Sequence, residues 1–131
     1  MILLDTHAWL SLGTNPSRLS ATATAAVSAA LRSGGIAIAS VTLLEIFWLM
    51  ARGRLRLHGS PETLLTELVD STGVVVKEVT AGVAAIFPQI PEGVGRDPVD
   101  RIIVATARAE GLPLVTRDTR LRRSPLVETV W

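Results

Sequence analysis

Four short apolar runs set the tightest limit on what this chain can fold into. They are Ile2-Leu3-Leu4, Ile36-Ala37-Ile38-Ala39, Val74-Val75-Val76 and Leu114-Val115-Thr116, with Val127 to Val130 as a fifth candidate. None alternates apolar with polar residues, as a strand wetted on one face would. Continuous apolar runs of strand length call for burial on both faces, and so for a parallel sheet between two helical layers.

The stretches between these runs carry helix signals. His7 to Leu12 reads as a short helix stopped by Gly13 and a turn through Asn15-Pro16. Ser20 caps an Ala-rich helix to about Arg32, ending at Gly34-Gly35. Ser40 or Thr42 opens an apolar helix through Met50, broken at Gly53, and Ser60-Pro61-Glu62 starts another with proline at its first position. Thr80 caps a short helix to about Phe87, and a Pro/Gly-rich loop follows from Pro88 to Gly95. Asp97-Pro98 opens a helix that lasts to Glu110 and stops at Gly111. The order predicts an α/β fold: a three-layer α/β/α sandwich with a mainly parallel sheet of four to five strands. At 131 residues, with no repeat, low-complexity tract or linker, 1–131 reads as a single domain.

Composition narrows the chemistry. No cysteine is present, which excludes disulfides and thiolate catalysis. Mean hydropathy is +0.41, so either the core is large or apolar surface is covered by a partner. Net charge is only +1, too little for a strong global field toward nucleic acid, yet 12 of the 13 basic residues are arginine. Arginine forks suit phosphates and carboxylates, although a GC-rich genome produces the same bias. The N-terminus reaches Asp5 without a basic segment and does not read as a signal peptide. The apolar stretch Ile36 to Ala51 is too short to span a bilayer comfortably and contains Glu45. A soluble cytoplasmic protein without membrane contact is the expectation.

The carboxylates hold the functional signal. In open parallel sheets, ligands bind beyond the carboxyl ends of the strands. Asp5 closes the first run, Asp118 lies two residues past the fourth, and Asp97 and Asp100 open a helix whose preceding loop can return to the same edge. Glu45 sits one to two turns into the helix after the second run. Converging carboxylates repel one another unless cations are present, and hard oxygen ligands suit Mg²⁺ or Mn²⁺. Each aspartate also has a structural reading. Asp5, Asp97 and Asp118 can cap helices, and Asp100 can complete a capping box at the third position. Glu45 resists such a reading most, because it is the only charge between Ile36 and Ala51. A helix this apolar is either largely buried or covers a partner, and a buried carboxylate is costly unless paired, protonated or on a metal. A salt bridge to an arginine is its structural alternative. Trp9, Phe47, Trp48 and Met50 read as core rather than base-binding residues.

Five segments in order resemble the PIN domain, and within it the VapC toxin ribonucleases of VapBC toxin–antitoxin pairs. They are Leu3-Leu4-Asp5-Thr6-His7, Ser40-Val41-Thr42-Leu43-Leu44-Glu45-Ile46, the stretch from Arg96 to Ala105 containing Asp97-Pro98-Val99-Asp100-Arg101, Leu114-Val115-Thr116-Arg117-Asp118, and the closing Val130-Trp131. No segment is specific alone; the ordered set is. The resemblance implies that Asp5, Glu45, Asp100 and Asp118 form an acidic quartet that is both catalytic and metal-holding, with one or two Mg²⁺ or Mn²⁺ ions. Asp97 would support that site or cap its helix, and Thr116 would donate a hydroxyl to it. The resemblance also implies an RNA substrate, a VapB-like antitoxin and a homodimer.

Metal-assisted phosphodiester hydrolysis needs no protein nucleophile, which matches the residues available. Arg117 and Arg120, in the cluster with Arg122 and Arg123, are candidates for holding RNA phosphates, as are Arg52, Arg54 and Arg56, although solvated helix ends are the simpler reading of both clusters. His7 reads as a surface residue or a neighbour of the site, and His58 as a loop residue. Two competing readings remain. A non-catalytic PIN-like module that binds RNA or protein would be favoured by missing acidic residues, and none is missing. A haloacid-type phosphatase needs a second Asp two residues after Asp5, where His7 stands; a phospho-receiver needs an acidic pair at the first strand and a lysine at a later one, but Asp5 has no acidic neighbour and the only lysine, Lys77, follows the third run.

Overall fold

A computed structural model describes every residue except Leu57 and Arg96, so the Arg96 position of the helix-start motif lies outside the described residues. The apolar runs form one wholly parallel sheet. Its strands are β1 (Ile2–Leu4), β2 (Ile36–Ala39), β3 (Val75–Lys77), β4 (Leu114–Val115) and β5 (Thr129–Val130), in the order β3-β2-β1-β4-β5. The expected sandwich is present with the larger strand count. Strand ends differ by a residue or two: β3 takes in Lys77, and Thr116 leaves β4 while its N–H still reaches the Val130 carbonyl at 3.1 Å.

Among the described residues, seven helices cover the sheet: α1 (Thr6–Thr14), α2 (Ala21–Ser33), α3 (Ser40–Ala51), α4 (Pro61–Thr72), α5 (Ala81–Ile86), α6 (Pro98–Glu110) and α7 (Thr119–Arg123). Side chains of Ser20, Ser60, Thr80 and Asp97 cap α2, α4, α5 and α6, as their sequence positions predict. Two expectations need correction. Helix α1 does not stop at Gly13 but runs through it to Thr14. The glycine serves close approach there, since a Cβ would lie 2.1 Å from Leu68 Cδ1 of α4. Phe87–Gln89 forms a 3₁₀ turn rather than loop, and its proline sits early in that turn, where no N–H is needed.

The pleat divides the core in two. Leu4, Ile36 and Ile38 pack with α1, α2 and α4 around Trp9, which is fully buried and donates from Nε1 to Thr72 Oγ1 at 2.9 Å. Leu3, Ala37, Ala39 and Leu114 face the other way, against α5, α6 and α7. Ala37 and Ala39 are small, and α6 meets the sheet with Val104, Ala105 and Ala107, all completely buried. Each large aliphatic side chain so buried contributes about 1.5–3 kcal/mol.

Helix α3 belongs to neither layer alone. It touches α1 and α4 on one side and α6 on the other, placing Ile46 in the first core and Val41 beside the second. Only Thr42 and Ile46 of α3 are buried, whereas Leu44, Phe47 and Trp48 are 47%, 44% and 43% exposed. Of the two readings of this apolar helix, largely buried is overturned. Phe47 and Trp48 are not core residues, because they lie on the face of α3 that neither the sheet nor α1, α4 or α6 covers. Among the described residues, no helix is long and apolar enough to cross a membrane.

Candidate active site

The strand order creates the site. From β1 the chain proceeds outward through β2 to β3, then returns across the sheet to place β4 on the other flank of β1. The connections leaving β1 and β4 therefore diverge, and a crevice opens beyond the strands' carboxyl ends. It measures about 400 Å³ and is lined by Asp5, His7, Glu45, Asp100, Arg117, Asp118, Thr119 and Arg120. All four carboxylates of the quartet face it. A larger opening of about 570 Å³, bordered by Thr22, Arg122 and Trp131, has no acidic side chain among its lining residues and is not where this chemistry sits.

Asp5 follows β1 directly, in extended backbone that lets its side chain fold over the start of α1. Its Oδ1 accepts the Ala8 N–H at 2.6 Å, so capping and lining the crevice are one arrangement. The residue is 7% exposed. Burial raises its carboxyl above the usual range, opposed by hydrogen bonds from Thr116 and the Ala8 N–H and by the charges of His7 and Arg117. Thr116 is completely buried and ties two acids together. Its hydroxyl donates to Asp5 while its oxygen accepts the Asp118 N–H at 3.1 Å. Asp118 in turn caps α7, with Oδ1 accepting the Arg120 N–H at 2.8 Å.

Glu45 reaches the crevice from α3 on the opposite wall. Its Oε2 accepts the hydroxyl of Thr6, which also lies beside Thr42. The carboxyl is pushed up to about 7, first by burial and then by the negative charges of Asp100, Asp97 and Asp5; the Thr6 bond offsets part of this. The salt bridge considered for Glu45 is not observed: among the described residues the one ion pair joins Lys77 to Glu110 at 2.8 Å.

Asp100 and Asp97 separate in role. Asp97 is exposed, caps α6 by accepting the Asp100 N–H at 3.2 Å, and does not line the crevice. Asp100, one turn on, does. Gly95 lies buried beneath it, at φ +90°. A Cβ on Gly95 would fall 2.3 Å from Asp100 Cβ, and the Gly95 carbonyl accepts Arg120 Nη1 at 3.4 Å. Arg101 points away, stacking over Phe87 at 4.4 Å and donating to the Ile90 carbonyl at 3.1 Å. It fastens the incoming loop to α6.

Sequence reasoning missed Thr6 and Gly95 as shapers of the site. Thr6 adjoins Asp5, but its partner Glu45 lies 39 residues away and no local spacing announces the bond. The donor set is hard oxygen throughout, of the kind that suits a hard divalent cation. Among the described residues, no three His, Asp or Glu side chains form a metal cage by themselves.

The PIN domain family profile matches residues 2–125. The chain is 36% identical over 132 aligned residues, 99% of its own length and 98% of the relative's, to Ribonuclease VapC22 of Mycobacterium tuberculosis. Its fold is similar to that of VapBC2 from Rickettsia felis bound to a promoter DNA fragment, with TM-score 0.71 at 17% identity, covering 98% and 97% of the two chains. It is also similar to a toxin–antitoxin complex from Klebsiella pneumoniae, with TM-score 0.65 at 22% identity and coverage of 97% and 95%. With sequence profile, near-full-length relative and fold in agreement, the chain belongs to the PIN-domain family, in its VapC group.

Proposed function

We propose that this protein is an endoribonuclease that hydrolyses RNA phosphodiester bonds with Mg²⁺ or Mn²⁺, one or two ions per site. We further propose that it is the toxin of a cytoplasmic toxin–antitoxin pair. The observation that carries this reading is the convergence of Asp5, Glu45, Asp100 and Asp118, from four separate segments, on one crevice at the sheet's switch point. The 36% identity to a ribonuclease supports the substrate class.

Asp5, Asp100 and Asp118 would hold the ion, partly through water. When bound, the ion supplies an acidified water and neutralises charge on the scissile phosphate. Glu45 Oε2 is engaged by Thr6, which leaves Oε1 to orient the attacking water and take its proton. Thr116 keeps Asp5 and Asp118 in register, and Asp97 fixes the start of α6 so that Asp100 faces inward. Arg117 and Arg120 border the crevice, placed to meet RNA phosphates that its carboxylates would otherwise repel.

A VapB-like antitoxin is the proposed restraint, by likeness to the toxin–antitoxin assembly from K. pneumoniae. The exposed Leu44, Phe47 and Trp48 support a homodimer, since they form an apolar patch at helical spacing. Incubating purified protein with single-stranded RNA, with and without Mn²⁺, tests the catalytic reading. Cleavage should require the ion and vanish in Asp100→Ala; cleavage that persists in EDTA would overturn it. The non-catalytic alternative has no missing carboxylate to favour it, and RNA binding without turnover would be its mark.

A further inference from the structure

A second pocket opens off the acidic crevice, with opposite charge. It encloses about 280 Å³ and shares His7 and Arg117 with the crevice as a common wall. Its floor is one face of α1: His7, Leu10, Ser11 and Thr14 recur at helical spacing and lead away from Asp5. Three arginines from distant parts of the chain ring it. Arg18 comes from the 3₁₀ turn Pro16–Arg18, which is pinned by the buried Leu19. Arg54 is brought back by the turn closing α3, where the N–H groups of Arg54 and Leu55 both bond the Leu49 carbonyl, at 2.9 and 3.1 Å. Arg117 follows β4. Leu49 and Leu55 add apolar wall, and no carboxylate lines the pocket. None of these arginines takes part in an ion pair among the described residues.

We infer that this pocket is a nucleotide subsite, binding a phosphate of single-stranded RNA next to the one cleaved, with the adjoining sugar or base against the leucines. From His7 to Thr14 the helix advances about 10 Å, so the pocket extends far enough from the crevice to take a neighbouring phosphate. Charge logic gives the pocket its purpose. Four carboxylates repel a polyanion, and in a protein of net charge +1 the attraction must be local. Arginine forks beside an apolar wall suit a phosphate joined to a nucleoside better than a bare anion. This subsite rests on the ribonuclease reading but is tested separately from it.

The test uses the full-length chain and a fluorescein-labelled single-stranded RNA 12-mer, titrated in EDTA over a series of salt concentrations. The variant Arg18→Gln/Arg54→Gln should bind about tenfold more weakly. Its slope of log affinity against log salt should be shallower by about 0.7 for each phosphate that the variant leaves without a cation. Arg18→Lys/Arg54→Lys should recover most of the binding. Both residues are exposed, so unchanged thermal unfolding is expected and serves as the folding control. Equal affinity and slope in wild type and the Gln variant would overturn the subsite. So would a deca-glutamate peptide that competes for these arginines as well as RNA does, which would assign the pocket to an acidic protein segment. A parallel Mn²⁺ cleavage assay separates the two readings. Wild-type protein that binds RNA through these arginines yet cuts none keeps the subsite and removes the catalytic reading. Cleavage that is identical in wild type and the Gln variant at subsaturating RNA does the reverse.

Discussion

Helix α3 has two faces that break opposite rules. Inward, Glu45 brings a carboxylate into a partly buried place where its charge is disfavoured. Outward, Leu44, Phe47 and Trp48 leave apolar surface in water. Each is unfavourable for the isolated chain, and each would be relieved by a partner of the kind proposed: a cation on the inner side, a protein surface on the outer. Twelve residues thus carry two incomplete sites back to back. Conflicts between local preference and fold gather where a protein does its work.

The sharpest way to break this contrast is to remove the inner site's charge. Asp5→Asn keeps a capping side chain for α1 and loses the anion, so the fold should survive while Mn²⁺-dependent cleavage falls about 100- to 1,000-fold. Gel-based cleavage beside circular dichroism checks it, and near wild-type rates would remove Asp5 from the machinery. On the outer face, Phe47→Glu/Trp48→Glu should weaken self-association by about 100-fold or more while the folded monomer persists. Sedimentation velocity reads this directly; an unchanged sedimentation profile would show that α3's exposed face is not the dimer contact.

Glu45→Gln sharpens the inner half further. The folded carboxyl, at about 7, lies above its ordinary 4.5, so the folded state binds the extra proton between those values. The native protein therefore loses stability as pH rises through that window, with the whole penalty present above pH 7 and none below 4.5. A glutamine carries no such penalty. In EDTA the variant should melt about 4 °C higher than wild type at pH 8 and level with it near pH 4.5. Added Mn²⁺ should narrow the gap by stabilising the wild type alone. A gap independent of pH would show that packing, not charge, distinguishes the two. The smallest effect is expected at Asp97→Ala. Loss of the α6 cap should cost about 1 kcal/mol in urea unfolding. Cleavage should fall only in proportion to the loosening of Asp100, and abolished turnover would instead make Asp97 a direct ligand.

The strands and caps were legible because each rests on neighbouring residues. A strand buried on both faces must be apolar throughout, and Ser20, Ser60 and Thr80 precede the helices they cap. Glu45 was legible as an anomaly for the same local reason. Its orientation was not, since an apolar helix reads alike whether the fold or a partner covers it. The pairing of Thr6 with Glu45, the meeting of Arg18 with Arg54, and the packing of Gly13 on Leu68 all join residues distant in sequence. Only the fold brings them together.

Gly95 sets a boundary on how this protein can vary. Two residues earlier, Gly93 has nothing within 4 Å of where a Cβ would stand, whereas at Gly95 that position is already filled by Asp100. In a saturation library selected for surviving nuclease activity, position 93 should accept a wide range of side chains. Position 95 should remain glycine, conserved as strictly as the carboxylate above it although it contributes no chemistry of its own.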